Sequence, residues 1–332
     1  MLYKLIRPVL FQLEAETAHN WTLNQLDHLP GWLFPNVADK PVQVMGLNFR
    51  HPVGIAAGLD KDGQHLKGLA KLHPAFIEIG TVTPLSQPGN DKPRLFRLPK
   101  ANALINRMGF NNEGVDALIK RLKQTQYDGV LGINIGKNKA TPIENASDDY
   151  KIAMTKVYPY ADYITINISS PNTPDLRKLQ GPDFFPDLLK ELQNLRESLT
   201  ESQQKRIPIL IKISPDEADE SLQQMAKWVC DFEMDGMIAT NTTADHQSVE
   251  SLLNSSMQGG LSGRPLAQKS QHCLSVLRKA LGPQKCLISV GGIDSVDIAN
   301  ERLAAGANLL QVYTGLIYQG PGLIKTLVNG LK

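Results

Sequence analysis

Eight strand-length apolar segments recur between residues 52 and 315, and most intervals between them carry a helical pattern. This alternation limits the possible folds more than any other feature of the chain. The segments are PVGIAAG (52–58), FIEIGTV (76–82), GVLGINIG (129–136), YITINIS (163–169), IPILIKIS (207–214), GMIATNT (236–242), CLISVGGI (286–293) and LLQVYTG (309–315). They are nearly continuous apolar runs, as expected of strands covered on both faces. Helical spacing fills Leu188 to Leu199, Ser221 to Phe232, Ser270 to Leu281 and Val296 to Ala305. Eight βα units point to an α/β chain folded as a closed (β/α)8 TIM barrel rather than an open doubly wound sheet. The one long interruption, TPLSQPGNDKPRLFRLPKANALINRMGFNN (83–112), is expected to be a structureless lid or binding loop.

Residues 1–38 read as a short helical extension ahead of a barrel domain at 39–332. Leu2, Leu5, Ile6, Val9, Leu10 and Leu13 form one apolar stripe. A second helix, Glu14 to Leu29, has a looser stripe of Ala18, Trp21, Leu26 and Leu29 and ends at Pro30-Gly31. Two expectations stand side by side. The helices pack onto the barrel, or a face rich in Leu, Trp21, Trp32 and Phe34, with Lys4 and Arg7 beside it, rests in a membrane interface. VQVMGLNFRHP then reads as a hairpin turning at Met45-Gly46. No apolar run reaches the roughly 18 to 20 residues of a membrane span. Lys4 and Arg7 interrupt the apolar start, and no cleavage site follows, which argues against a signal peptide.

Composition excludes several classes. A chain of 332 residues, 42% hydrophobic and 20% charged, is globular with a sizeable core. A formal charge of +2 on dispersed Lys and Arg gives no footprint for nucleic acid. Cys230, Cys273 and Cys286 are too widely spaced for a disulfide framework and are expected as buried thiols; the seven histidines show no ligand spacing, so no metal is expected.

Barrel active sites lie where the strands end. In IPILIKIS, Ile207, Ile209, Ile211 and Ile213 share one face, which sends Lys212 into the barrel; the same parity sends Asn134 inward with Gly132. For the second strand, parity puts Glu78 and Thr81 on opposite faces and leaves open which one faces in. An inward lysine needs an anion. With Asp60 the only acidic residue at a neighbouring strand end, an anionic ligand is favoured over a structural ion pair. The glycines of SVGGI and YTG follow the seventh and eighth strands, where barrels often bind phosphate. Asn106, Asn167, Asn172 and Asn241 offer paired donors and acceptors suited to a pyrimidine or similar cyclic imide. YITINISSPNT (163–173) ends in Ser170, with Ser169 and Thr173 nearby, and no His or Cys stands in this rim.

The segments AAGLDKDG (56–63), IEIGTVTPLSQPGNDKPRLFRL (77–98), INRMGFNN (105–112), GVLGINIGKNK (129–139), INISSPNTP (166–174), KISP (212–215), IATNTT (238–243), GGLSGRPL (259–266) and SVGGIDS (289–295) closely resemble the dihydroorotate dehydrogenases, specifically the quinone-linked class 2. The resemblance implies that Ala57, Gly58, Leu59, Asp60, Lys61, Thr81, Asn134, Asn167, Lys212, Thr240, Gly263, Gly292, Tyr313 and Thr314 hold FMN. It implies that Lys61, Asn106, Arg107, Met108, Gly109, Phe110, Asn167, Asn172, Asn241 and Thr242 hold dihydroorotate. Ser170 falls on the catalytic base that takes a proton from C5 while C6 gives hydride to the flavin. Class 1 enzymes resemble the pattern but carry Cys as base and lack the two N-terminal helices.

By the same resemblance, residues 1–38 rest on the bilayer and give quinone a path to the flavin, with His19 a candidate lining residue. The expected product is orotate, in the fourth step of de novo pyrimidine synthesis. The expected setting is the cytoplasmic face of a bacterial inner membrane, with the chain a peripheral monomer. Two other readings compete. One is a flavin-free phosphosugar barrel with Lys212 as Schiff-base nucleophile; the other is a non-catalytic membrane-associated binding protein.

Overall fold

A computed structural model of the chain describes residues 2–332; the Leu2 side chain, part of the expected apolar stripe, lies outside what is described. Two helices, α1 (Leu2–Leu10) and α2 (Ala15–His28), precede a hairpin of β1 (Val42–Val44) and β2 (Leu47–Phe49). The chain continues through β3 (Val53–Ile55), α3 (Leu66–Ala70), β4 (Phe76–Val82), β5 (Leu95–Leu98), β6 (Ala103–Asn106), α4 (Val115–Leu122), β7 (Val130–Ile135), α5 (Ala146–Val157), β8 (Tyr163–Asn167) and α6 (Phe185–Gln203). It ends with β9 (Ile209–Ile213), α7 (Asp219–Asp231), β10 (Gly236–Ala239), β11 (Gly260–Gly263), α8 (Ala267–Leu281), β12 (Cys286–Val290), α9 (Val296–Ala304), β13 (Leu309–Val312), α10 (Thr314–Gln319) and α11 (Leu323–Gly330). Strands β3, β4, β7, β8, β9, β10, β12 and β13 close in that order into the expected barrel, and every pairing is parallel.

Alternation along each strand divides the core in two. Ile209, Ile211 and Ile213 of β9 face the helices, in one cluster with Ile164 and Ile166 of β8. Leu210 points into the barrel with Phe76, Tyr163 and Ile238. The edge-to-face contacts of Phe76 with Phe49 and with Tyr163 plug the N-terminal end of the barrel, where the hairpin covers it. Gly132 makes room for this plug, because a Cβ there would lie 2.2 Å from the Tyr163 ring.

Two expectations change. Residues 83–112 are not structureless: β5 and β6 form a hairpin, and β11 adds to the outer edge of β6 to make a three-stranded antiparallel sheet. Asn106 and its partner Gly260 are 154 residues apart, so this pairing has no local signal. The third thiol, Cys230, is half-buried rather than buried.

The N-terminal extension is anchored by one face. Glu14 caps α2, accepting from the backbone N–H of Glu16 (2.9 Å) and of Thr17 (2.7 Å). The first turn of α2 carries Glu16, which accepts two parallel hydrogen bonds from Arg94 at 3.0 and 2.7 Å. Both side chains are 7% exposed. Arg94 also donates to the carbonyls of Pro88 and Asn90, so the pair ties α2 to the loop ahead of β5. Leu5 and Val9 of α1 and Trp32, in the turn at 31–33 after α2, are 74%, 62% and 81% exposed.

Burial raises the Glu16 carboxyl, but hydrogen bonds and charge from Arg94, with Lys92 and Lys61 adding, outweigh it and hold the pKa below its ordinary 4.5. A depressed folded pKa means that this contribution is present at neutral pH and lost as pH falls through the folded value. Glu16→Gln should therefore cost about 3–5 kcal/mol, the scale for breaking a buried pair. Urea unfolding at pH 7 checks this, and the gap between variant and parent should shrink at acidic pH.

Candidate active site

The barrel interior above the aromatic plug is a polar stack. Glu78, fully buried, accepts from Asn134 Nδ2 (2.8 Å), Tyr163 Oη (3.0 Å) and Gln311 Nε2 (2.7 Å). Thr81 also faces inward: its hydroxyl donates to Asn134 Oδ1 (2.6 Å) and accepts from Asn167 Nδ2 (2.9 Å). Parity cannot allow both Glu78 and Thr81 to face in on a regular strand. The register against β7 shifts between Gly80 and Val82, so Thr81 is an extra residue in a bulge, which resolves the conflict.

Lys212 enters this stack from β9, as parity requires, and lines the cavity above it. Burial lowers its pKa, and the Glu78 charge opposes that. Sequence reasoning missed Glu78 as the counter-charge, because it sits within β4 rather than at a strand end. Its oxygens are committed to three other donors, so Lys212 has no hydrogen bond to it and remains available to a ligand.

The rim is built from asparagines. Asn241 Nδ2 donates to Ser169 Oγ (3.1 Å) and Asn167 Oδ1 (3.3 Å), while Ser169 Oγ donates to Asn167 Oδ1 (3.2 Å). Ser169 is thereby held in the wall. Its neighbour Ser170 lines the cavity at 6% exposure, and its Oγ accepts the Asn172 N–H at 3.2 Å. Asn172 Nδ2 in turn donates to Asn106 Oδ1 at 3.3 Å. Thr173 Oγ1 is buried three residues after Ser170 with no hydrogen-bond partner. Lys61 also lines the cavity; burial and the nearby Arg94 guanidinium push its ammonium down to about 8, against the pull of Glu16, Asp62 and Asp60.

One cavity gathers most of the expected residues: Ala57, Gly58, Lys61, Thr81, Asn106, Met108, Gly109, Phe110, Asn167, Ser170, Asn172, Lys212, Thr240, Asn241, Thr242, Gly263, Gly292, Tyr313 and Thr314. It encloses about 990 Å³ including its open mouth. Four expected residues lie outside its wall. Asn134 sits one layer beneath, supporting Thr81 and Asn167. Leu59 is packed in the helix-side core. Asp60 turns its carboxylate to the N–H groups of Gln64 (3.0 Å) and His65 (2.8 Å) ahead of α3. Arg107 reaches away to the Pro93 carbonyl and stacks over Phe96.

The wall also contains residues that sequence reasoning passed over. Gln311, the lone polar residue in an apolar strand, was detectable by parity with Tyr313. Ser262, whose Oγ lies 2.8 Å from Thr314 Oγ1, was not, because β11 has no strand signal of its own.

Residues 40–332 match the family profile described as "Dihydroorotate dehydrogenase". A protein of Legionella pneumophila (strain Lens) named "Dihydroorotate dehydrogenase (quinone)" is 54% identical over 331 residues, covering 100% of this chain and 99% of that protein. A protein of Escherichia fergusonii with the same name is 52% identical over 336 residues, covering 100% of both. The crystal structure of DHODH from Eimeria tenella in complex with ferulenol has a TM-score of 0.89 at 36% identity, covering 97% of this chain and 93% of that one. A barrel with this rim of asparagines around one inward lysine and one cavity-lining serine, matched along its whole length by such relatives, belongs to the dihydroorotate dehydrogenase family.

Proposed function

We propose that the chain oxidises (S)-dihydroorotate to orotate through bound FMN, with a membrane quinone as final electron acceptor, in the fourth step of de novo pyrimidine synthesis. The observation that carries the reading is the set of groups gathered in the wall of one cavity: Ser170, the amides of Asn106, Asn172 and Asn241, and Lys212. The cavity fits a phosphorylated flavin. Lys212 is free to meet an anionic ring edge, and the amide N–H groups of Gly291 and Gly292 donate to no backbone carbonyl among the described residues. Bound FMN supplies the acceptor for the hydrogen and electron pair leaving C6 of dihydroorotate and relays the electrons to quinone.

The protein's own groups do the rest. Ser170 Oγ takes the C5 proton, and the unpartnered Thr173 hydroxyl offers an onward route for it. Asn106, Asn167, Asn172 and Asn241 hold the ring by its alternating N–H and C=O edges, and the loop at Arg107, Met108, Gly109 and Phe110 closes over it. Lys61 and Thr242 complete the substrate side; Ala57, Gly58, Leu59, Asp60, Thr81, Asn134, Thr240, Gly263, Gly292, Tyr313 and Thr314 hold or support the FMN. Leu59, Asp60 and Asn134 act from behind the wall, and Arg107 from outside it. The phosphosugar reading of Lys212 is not favoured by any relative above.

Residues 1–38 serve as the bilayer contact and quinone entry of a peripheral, monomeric enzyme on the cytoplasmic face of a bacterial inner membrane. No helix among the described residues is long and apolar enough to cross a membrane. The exposed Leu5, Val9 and Trp32 support surface insertion. His19 is the candidate lining residue of that entry route. His19 is not part of the cavity wall; burial first, then the charges of Lys61 and His65, push its pKa to about 4, so it is neutral at physiological pH.

Purified protein should show flavin absorbance that bleaches anaerobically on adding dihydroorotate; a colourless protein overturns the reading. Replacing Leu5, Val9 and Trp32 together by serine should lower vesicle binding and long-chain quinone turnover by about tenfold or more. Flavin reduction should change less than about twofold, since Glu16 and Arg94 still anchor the extension; equal losses in both half-reactions would mean that the face is structural only.

A further inference from the structure

Arg302, on α9, is 1% exposed and is the largest fully buried side chain of the described residues. A buried guanidinium is costly unless an anion compensates it. Among the described residues it forms no ion pair. Its contacts are neutral: Nη1 donates to Ser270 Oγ at 3.1 Å, and Nη2 donates to the carbonyls of Gly291, at 3.0 Å, and Ala267. Burial pushes the group down to about 10, with Glu301 and Cys273 opposing only in part, and Glu301 is itself exposed.

The acceptors show what the charge is for. A trans peptide is planar, so its C=O and N–H point in opposite directions. Holding the Gly291 carbonyl on the helix side therefore turns the Gly292 N–H away from Arg302. The preceding peptide is pinned in the same way: Val290 O accepts from Ser270 Oγ at 2.7 Å and from the Thr240 N–H at 2.9 Å. Gly291 and Gly292 have φ of +119° and +73°, and both line the cavity. Glycine is needed here, since a Cβ on Gly292 would lie 2.6 Å from Ala267. Two free amide N–H groups with an uncompensated guanidinium behind them form an anion subsite.

We propose that Arg302 is a positioning residue for this subsite: it fixes the Gly291–Gly292 peptide so that its N–H faces the cavity and supplies the buried positive charge that a phosphomonoester completes. The proposal rests on reading the cavity as a flavin phosphate site. The charge acts through the peptide and through space, without touching the ligand.

The test compares two flavins that differ only in the phosphate. Full-length protein, stripped of flavin, is titrated with FMN and with riboflavin, for the parent, Arg302→Met and Arg302→Lys. Arg302→Met is expected to weaken FMN binding about 10- to 100-fold, the scale of one charge-assisted interaction. Riboflavin binding should change less than about twofold, and Arg302→Lys should recover part of the FMN loss. Equal weakening of both flavins would show a packing role only, and unchanged FMN binding would remove Arg302 from the subsite; either overturns the proposal. Should the Met variant fail to fold, Arg302→Lys decides alone, by whether its loss is confined to FMN. A parent protein that does not prefer FMN to riboflavin would overturn the phosphate reading itself, independently of the variants.

Discussion

Ser170→Ala should leave the flavin bound with an unchanged spectrum and slow its reduction by dihydroorotate by about 10²- to 10⁴-fold, the range for losing a general base. Anaerobic stopped-flow measurement of flavin bleaching reads this directly. Two features of the loop make Ser170, and not Ser169, the group at stake. Ser169 is bound into the ring with Asn167 and Asn241, whereas Ser170 Oγ is at the cavity surface. Pro171 also biases Ser170 away from helical backbone, which holds its hydroxyl on a restricted loop. Serine is a weak base, so the buried and unpartnered Thr173 hydroxyl matters. Thr173→Val should slow the same step by a smaller factor while leaving dihydroorotate binding intact. Near-normal bleaching in Ser170→Ala would place the base elsewhere.

Lys212→Met should have the second largest effect. In the proposed reaction, reduction would add negative charge to the flavin ring, and Lys212 is the cation in the cavity wall that would meet it. Removing a preorganised charge of this kind costs about 10²- to 10³-fold in rate. A shift of the flavin midpoint potential to more negative values should accompany the loss. Glu78→Gln gives the opposite sign: it deletes the buried negative charge that faces Lys212, so the potential should rise. Spectroelectrochemical titration of the three proteins checks both directions. A potential unmoved in Lys212→Met would show that the lysine does not meet the flavin.

Much of this was legible in the chain. Lys212 and Asn134 were placed inside the barrel by parity, which holds because β7 and β9 are regular strands whose side chains alternate with period two. The same rule failed at Thr81, where one extra residue in β4 changes the parity and brings Glu78 and Thr81 to the same side. Asp60 illustrates a different limit. A carboxylate after a strand is equally suited to a ligand or to backbone N–H groups, and here Gln64 and His65 take it.

What the sequence by itself determined was the barrel, its eight strand ends and the residue types delivered there, because those depend on local periodicity and on the order of elements. Only the tertiary structure decided which groups meet. The wall made by β5, β6 and β11 depends on residues as far apart as Asn106 and Gly260. The docking of α2 through Glu16 and Arg94 and the charge of Arg302 behind Gly291 are likewise contacts across the fold. Hydrogen bonds and charges act over a few ångströms of space, and neither parity nor spacing along the chain reports that distance.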